Sequence, residues 1–380
     1  MSSPPPLPRL PGKVSRQNGG ASVVVQWVVD VRGDYPEVSK TKQLVQFAPR
    51  ALALLSPQER ADVLKFIFPK DAKMALASKL LKRLVISSLA ASPCPGSVDS
   101  NTSNADGTGG GEPKLVPWHL STPTRSPDTK PNFLLPSSSS SGTSPSSEPL
   151  IFNVTHQAGL VVLSAALHPP PGTKIGVDVV CPGERRAHDV DSLARLGPRG
   201  FAEIYESVFS PREVDALCES EVAALATTTS NRKNSEAGAV ARATGAPDPD
   251  CWLRYFYTLW CLREAYVKMT GEALLASWLG DLEMRNYAPP EVVAAEGDKL
   301  EVWFGANMVR GVRKWLVNYG GDSDDGDDKN NGEFVICTFV RDGERGELLD
   351  FGEYVPVSLE DIVVAAEVIK RQSEAAASSS

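Results

Sequence analysis

One stretch constrains this chain more than any other: Trp252 to Leu275 (WLRYFYTLWCLREAYVKMTGEALL), centred on Trp260-Cys261-Leu262-Arg263-Glu264-Ala265-Tyr266-Val267-Lys268. Strong helix formers dominate it and no proline interrupts it, which predicts one long helix. At about 100° per residue, Tyr255, Leu259, Leu262, Tyr266, Met269 and Ala273 fall in one apolar stripe, while Trp260, Glu264 and Lys268 run down the opposite side. A solvated Glu-to-Lys pair at i,i+4 would contribute only about 0.2–0.5 kcal/mol. The Trp260 indole one turn above Glu264, with Val267 nearby, argues instead for burial on both sides. A helix wedged between two layers, holding an acid and a base together, suits a site better than a surface.

The chain has room for a large core, since 380 residues allow one to three domains, and 42% hydrophobic content describes an ordinary soluble protein. Lys and Arg number 39 against 47 Asp and Glu, a net charge of −8 that argues against nucleic acid as a principal partner. No run reaches the roughly 18 to 20 apolar residues of a membrane span, and the start (MSSPPPLPRLPG) lacks the apolar core of a signal peptide. A cytoplasmic protein without a membrane partner is therefore expected. The six cysteines (Cys94, Cys181, Cys218, Cys251, Cys261, Cys337) show no C-x-x-C spacing, and His is limited to four, which disfavours a disulfide framework or a zinc site.

In order, residues 1–21 are Pro-, Ser- and Gly-rich and expected to be disordered. Val23–Val31 reads as a buried strand. Ser56, Pro57 and Glu59 form a capping box that starts a helix. Asp71–Ser88 reads as a helix burying Met74, Leu76, Leu80, Leu81, Leu84 and Val85, with Lys73, Lys79, Lys82 and Arg83 in solvent. Low-complexity insertions follow at about 90–113 and 136–149, with a short strand expected at Lys114–Leu120. Leu150–Val154 and Leu160–Leu167 pair around a Thr155–Gly159 turn, and Ile175–Cys181 is the next strand. Phe201–Ser207 and Pro211–Leu225 read as helices, the second capped by Ser210. Loose segments at about 227–249 and 319–333 flank the central helix and the late strand Lys299–Trp303; Phe334–Arg341 is the last strand. The run Asp322–Asp328 reads as a solvated loop rather than a metal site. Two α/β segments emerge, one on each side of about residue 168.

Asp178 stands in the middle of an apolar strand, where an unpaired carboxylate would cost several kcal/mol, so it needs a partner. An arginine or a hard divalent cation would serve, since magnesium takes carboxylate, phosphate and water oxygens in octahedral geometry. No G-x-x-x-x-G-K-(S/T) loop, no G-x-G-x-x-G before a helix and no G-x-S-x-G elbow is present, which excludes P-loop, dinucleotide and hydrolase readings.

Trp260, Arg263, Glu264, Ala265 and Lys268, spaced Trp-x-x-(Lys/Arg)-Glu-(Ala/Ser)-x-x-Lys, resemble the signature helix of the 4′-phosphopantetheinyl transferases of the larger, surfactin-synthetase-activating type, including fungal and lysine-pathway members. Asn153-Val154-Thr155-His156-Gln157 and Gly176-Val177-Asp178-Val179 resemble two further blocks of that family, in the same order, and the similarity runs from about residue 24 to about 340. The resemblance implies an α/β (α+β) fold of two similar halves, 22–168 and 169–366 with a tail at 367–380, forming a pseudo-dimer with the active site in the cleft between them. It implies transfer of the 4′-phosphopantetheine arm of coenzyme A to a serine of apo acyl or peptidyl carrier proteins, giving adenosine 3′,5′-bisphosphate.

In that family reading Asp178 and Glu264 hold Mg²⁺ with the diphosphate of coenzyme A, and Val180 stands where many members carry a second acid. Glu264, directly or through a water, takes the serine proton, and Lys268 stabilises the phosphoryl charge. Asn153, Thr155 and His156 resemble the block whose histidine meets the coenzyme A phosphates. Arg125, Lys130 and Pro131 resemble a loop reaching its nucleotide end, where exposed cations in a polar loop are the plainer reading. Arg60 is a candidate for the 3′-phosphate, with Lys65 or Lys73 as alternatives. The carriers expected are those of fatty acid synthase, polyketide synthase, nonribosomal peptide synthetase and aminoadipate reductase. A monomer is expected, because a fused double domain has less need to pair. The competing class is a non-catalytic carrier-protein or coenzyme A binding module retaining the fold, separable by whether apo carrier gains a phosphopantetheinyl arm.

Overall fold

A computed structural model of the protein describes residues 13–17, 20–89, 116–125, 131–133, 150–219, 248–272, 276–320, 332–344, 346 and 348–378. The expected insertions at 90–113 and 136–149, the segment 227–247, the run Asp322–Asp328 and Lys130 lie outside the described residues. The chain forms two compact units, Met1–Gly176 with Val340–Ser380, and Val177–Phe339.

In the first unit β1 (Lys13–Gln17), within the stretch expected to be disordered, pairs antiparallel with β2 (Gly20–Asp30), whose main part was the expected strand. Four helices follow: α1 (Leu44–Phe47), α2 (Pro49–Ala53), α3 (Pro57–Leu64) and α4 (Pro69–Leu89). After a small ribbon of β3 (Thr124–Arg125) and β4 (Pro131–Asn132) come β5 (Leu150–Gln157) and β6 (Leu160–Leu167). The β-branched run of β2 pairs with β6 from Val23↔Leu167 to Asp30↔Leu160, giving the sheet order β1-β2-β6-β5.

Local chemistry corrects several expectations. The β5–β6 hairpin turns on two residues, Ala158 (φ 49°) and Gly159 (φ 94°), so Thr155–Gln157 belong to the strand and not to the turn. Two successive positive φ values are what the twist of a tight hairpin demands. The expected strand at Lys114–Leu120 is a 3-10 turn at Trp118–Leu120, because the Trp118 indole is buried and donates to the Leu54 carbonyl at 2.8 Å. Lys73 and Arg83 are buried rather than solvated, since α4 packs on the sheet with one face and is covered on the other.

The second unit starts in β7 (Lys174–Val180), whose first residues count to the first unit. It continues through α5 (Arg186–Glu203), α6 (Pro211–Cys218), α7 (Pro249–Thr270), β8 (Leu282–Arg285), α8 (Pro290–Glu296), β9 (Glu301–Phe304), β10 (Asn307–Met308), β11 (Val312–Tyr319) and β12 (Phe334–Arg341). The sheets run β11-β12-β7 and β10-β9-β8. Helix α5 replaces the expected Phe201–Ser207 helix; it is kinked at Gly197 (φ 69°) before Pro198, and that break hid its periodicity. The chain then returns to the first unit, where β13 (Val355–Pro356) pairs in parallel with Trp27–Val28 of β2 and α9 (Leu359–Ser378) packs on α4. The segment 340–366 therefore does not belong with the second half, and the expected tail from 367 is helix.

Each unit has its own core, the first around Trp27, Leu76, Leu80 and Leu163, the second around Phe201, Trp252, Phe256 and Leu262. Each also uses the same clasp. Ser56 and Glu59 cap α3 reciprocally, and the Glu59 carboxylate takes Arg83 of α4 at 2.7 Å. Ser210 and Glu213 cap α6 in the same way, and Glu213 takes Arg263 of α7 at 2.5 Å. In both places a Ser-Pro-x-Glu helix start anchors the long helix that follows it.

Candidate active site

Strand β7 owes its form to alternating β-branched residues, and both of its faces are buried from Ile175 onward. Asp178 is therefore 5% exposed in the middle of an apolar strand. Val180, at the position where a second acid could have stood, is buried as an apolar residue.

Helix α7 is fixed at both ends by its caps. Asp248 accepts the Asp250 N–H, Pro249 occupies the first turn, and Gly271 in the left-handed region (φ 95°) returns its N–H to the Val267 carbonyl. The helix thus ends at Thr270 and not at Leu275, because Gly271 stops it; residues 273–275 lie outside the described residues. Tyr255, Leu259, Leu262, Tyr266 and Met269 are buried as the periodicity requires, and Cys261, Ala265 and Val267 are buried too. Trp260 is only partly buried. It joins the aromatic cluster of Tyr205, Phe209 and Phe256, with its ring centroid 5.5 Å from that of Tyr205.

The two elements meet at one constellation. The Lys268 ammonium donates to Asp178 Oδ1 at 2.5 Å, with the lysine side chain 30% exposed. One turn earlier, Glu264 is half-buried and has no hydrogen bond or ion pair among the described residues. Burial pushes its carboxyl up to about 7, the neighbouring Asp178 charge adds to that rise, and Lys268 opposes it. Burial pulls the Lys268 ammonium down, but the Asp178 carboxylate outweighs it and leaves the amine raised. The Cys261 thiol, buried between the elements, lies 3.6 Å from the Asp178 carbonyl and 3.5 Å from that of Val335.

Arg263, part of the signature pattern, does not face this constellation. Its guanidinium is fully buried, binds Glu213 and donates to the Leu279 and Leu282 carbonyls at 2.6 and 2.8 Å, tying α7 to α6 and to the start of β8. The sequence reading missed Glu213 as its partner, although the Ser210-Pro211-x-Glu213 capping box was the signal for it.

The remaining candidates lie in the first unit. Asn153 and Thr155 are buried on one side of β5 and His156 is exposed on the other. Arg60 is exposed and donates to the Leu52 carbonyl at 3.2 Å, Lys65 pairs with Asp62 at 2.9 Å, and Lys73 is buried. Arg125 and Pro131 lie in the β3–β4 ribbon.

The donor set at Asp178 and Glu264 consists of carboxylate oxygens, the type that a hard divalent cation takes. Mutual repulsion, part of what lifts Glu264, is what such a cation would relieve. Among the described residues there is no group of three or more His, Cys, Asp or Glu side chains placed to hold a metal ion. Two carboxylates of this type would suit a magnesium ion.

Comparisons with known proteins match both this region and the N-terminal part of the chain. Residues 174–292 match the family model described as the 4′-phosphopantetheinyl transferase superfamily, and residues 43–98 match that of the 4′-phosphopantetheinyl transferase N-terminal region. A 4′-phosphopantetheinyl transferase 1 from Fusarium mangiferae is 40% identical over 344 residues, covering 90% of this chain and 95% of the relative. A 4′-phosphopantetheinyl transferase from Aureobasidium melanogenum is 32% identical over 70% of this chain and 75% of its own. The 4′-phosphopantetheinyl transferase A of Aspergillus fumigatus is 29% identical over 80% of this chain and 78% of its own.

Proposed function

Because the chain belongs to the 4′-phosphopantetheinyl transferases, enzymes that move the phosphopantetheine arm of coenzyme A to a carrier serine, we propose that Asp178, Glu264 and Lys268 carry its chemistry. The observation that supports this most is the Lys268–Asp178 pair at 2.5 Å with Glu264 one helical turn away.

Asp178 and Glu264 would hold Mg²⁺, which when bound neutralises the diphosphate of coenzyme A. Glu264 accepts the proton of the carrier serine hydroxyl. The serine oxygen then bonds to the β-phosphorus of coenzyme A as the bond from that phosphorus to the bridging oxygen breaks, releasing adenosine 3′,5′-bisphosphate. Lys268, about 6 Å from Glu264 along the helix axis, reaches the same phosphoryl group and stabilises its charge. We assign Asn153, Thr155, His156, Arg60, Arg125, Lys130 and Pro131 to coenzyme A contacts. The repeated Ser-Pro-x-Glu clasp supports the reading of two similar halves.

The carriers proposed are those of fatty acid, polyketide, nonribosomal-peptide and aminoadipate-reductase systems, served by a cytoplasmic monomer. The test is to incubate several apo carriers with coenzyme A, Mg²⁺ and the enzyme, and to weigh the products. One added phosphopantetheinyl arm per carrier is expected; no gain on any carrier would overturn the reading.

A further inference from the structure

The segment that leaves β7 runs along a single face of α7. Asp250, Tyr257, Cys261 and Lys268 are seven, four and seven residues apart, spacings that return to the same side of a helix. Asp250 and Tyr257 meet that segment, and Cys261 and Lys268 meet β7 itself. Arg186 clasps Asp250 through two bonds of 2.7 Å. The Tyr257 hydroxyl donates to Asp189 Oδ2 in a short hydrogen bond. Cys261 reaches the Asp178 carbonyl, and Lys268 reaches the Asp178 carboxylate.

The link from Asp178 to Asp189 has little slack. Backbone bonds close it turn by turn, from Glu184 N–H to the Cys181 carbonyl at 3.2 Å, from Arg186 to Gly183 at 3.3 Å and from Asp189 to Arg185 at 3.0 Å. Asp189 itself is buried in the first turn of α5, with His188 Nδ1 3.1 Å from its Oδ1 and the Tyr257 hydroxyl on its Oδ2, and a buried carboxylate oxygen that loses its donor is costly. A displacement at Asp189 is therefore passed back to β7 rather than absorbed.

We infer that Asp189 and Tyr257 are positioning residues of the transfer reaction, whose hydrogen bond pins the segment following β7 to α7 and so sets where Asp178 meets Glu264 and Lys268. Tyr257 stands two turns, about 10.5 Å, from Glu264 along the axis, so it acts through this geometry and not by touching the phosphate. The inference rests on the reading of Asp178, Glu264 and Lys268 as the site.

The test measures kcat and KM for coenzyme A and carrier, together with Tm, in Tyr257→Phe, Asp189→Ala and Asp189→Asn. Asn still accepts from the tyrosine hydroxyl and Ala does not. Tyr257→Phe and Asp189→Ala should lower kcat by about tenfold or more well below Tm, within the range for a small misplacement of reacting groups. Asp189→Asn should recover most of that loss. In a Lys268→Ala background Tyr257→Phe should have no further effect, because both act through one pair. A fall in Tm with an unchanged kcat, or full additivity with Lys268→Ala, overturns the inference. Tyr257→Phe deletes a single oxygen, so the test stands if the Asp189→Ala protein does not fold. Full activity in Glu264→Gln would instead overturn the site reading itself; an inactive Glu264→Gln beside an unaffected Tyr257→Phe removes only the positioning role.

Discussion

Arg263 and Glu213 meet at 2.5 Å with no solvent contact, immediately before Glu264 in the chain. Neighbouring charges in one motif thus do opposite work. Arg263 clamps α7 to α6 and to the start of β8, and that clamp leaves Glu264 and Lys268 turned toward β7.

Removing one partner of a buried ion pair strands the other charge. Arg263→Met should destabilise the protein by about 3–5 kcal/mol. Arg263→Lys should recover only part of this, since an ammonium lacks the planar fork that spans Glu213 and two carbonyls. Urea unfolding measures both, and a loss below about 1 kcal/mol for Arg263→Met would contradict the clamp.

The two helix caps should behave alike. Ser56→Ala and Ser210→Ala each leave a helix-start N–H without its acceptor, which typically costs about 0.5–2 kcal/mol. Ser210 is fully buried and Ser56 is not, so the larger loss is expected at Ser210. Denaturant midpoints of the two variants provide the comparison.

Acid should loosen the first unit through Glu59. Burial alone would raise its carboxyl, but the Arg83 guanidinium and the Ser56 N–H outweigh it and hold it below its usual 4.5. A depressed folded pKa stabilises above the unfolded value and is lost as pH falls through the folded one. Wild type should therefore lose stability relative to Glu59→Gln as pH drops below about 4.5, and the difference should be flat from pH 5 to 7. Urea midpoints of the two proteins across that range check the sign.

Periodicity and capping residues made much of this legible. The buried stripe of α7, the Val23–Val31 strand, both capping boxes and the hairpin of β5 and β6 follow from local spacing alone. What escaped was set by distant partners or by single backbone positions. Arg83 looks solvent-facing on α4 until Glu59 and the Trp118 carbonyl are brought to it. Gly271 ends α7 because only its left-handed φ permits the closing bond, and Gly197 with Pro198 disguised α5. The return of β13 to β2 depends on a pairing more than three hundred residues away in the chain, which no window of sequence contains. The convergence of Asp178 and Lys268, proposed with Glu264 as the site, was legible as a motif, whereas the Tyr257–Asp189 hydrogen bond was not, since it joins two helices far apart in sequence.

The central claim is that Glu264 and Lys268 act together on one phosphoryl group beside Asp178. The most direct measurement is the turnover of Glu264→Gln and Lys268→Ala with coenzyme A, Mg²⁺ and apo carrier, each checked for an unchanged fold. Both should fall by about 10² or more, as expected for a positioned acid, base or cation. Near-wild-type kcat in either correctly folded variant would contradict the account.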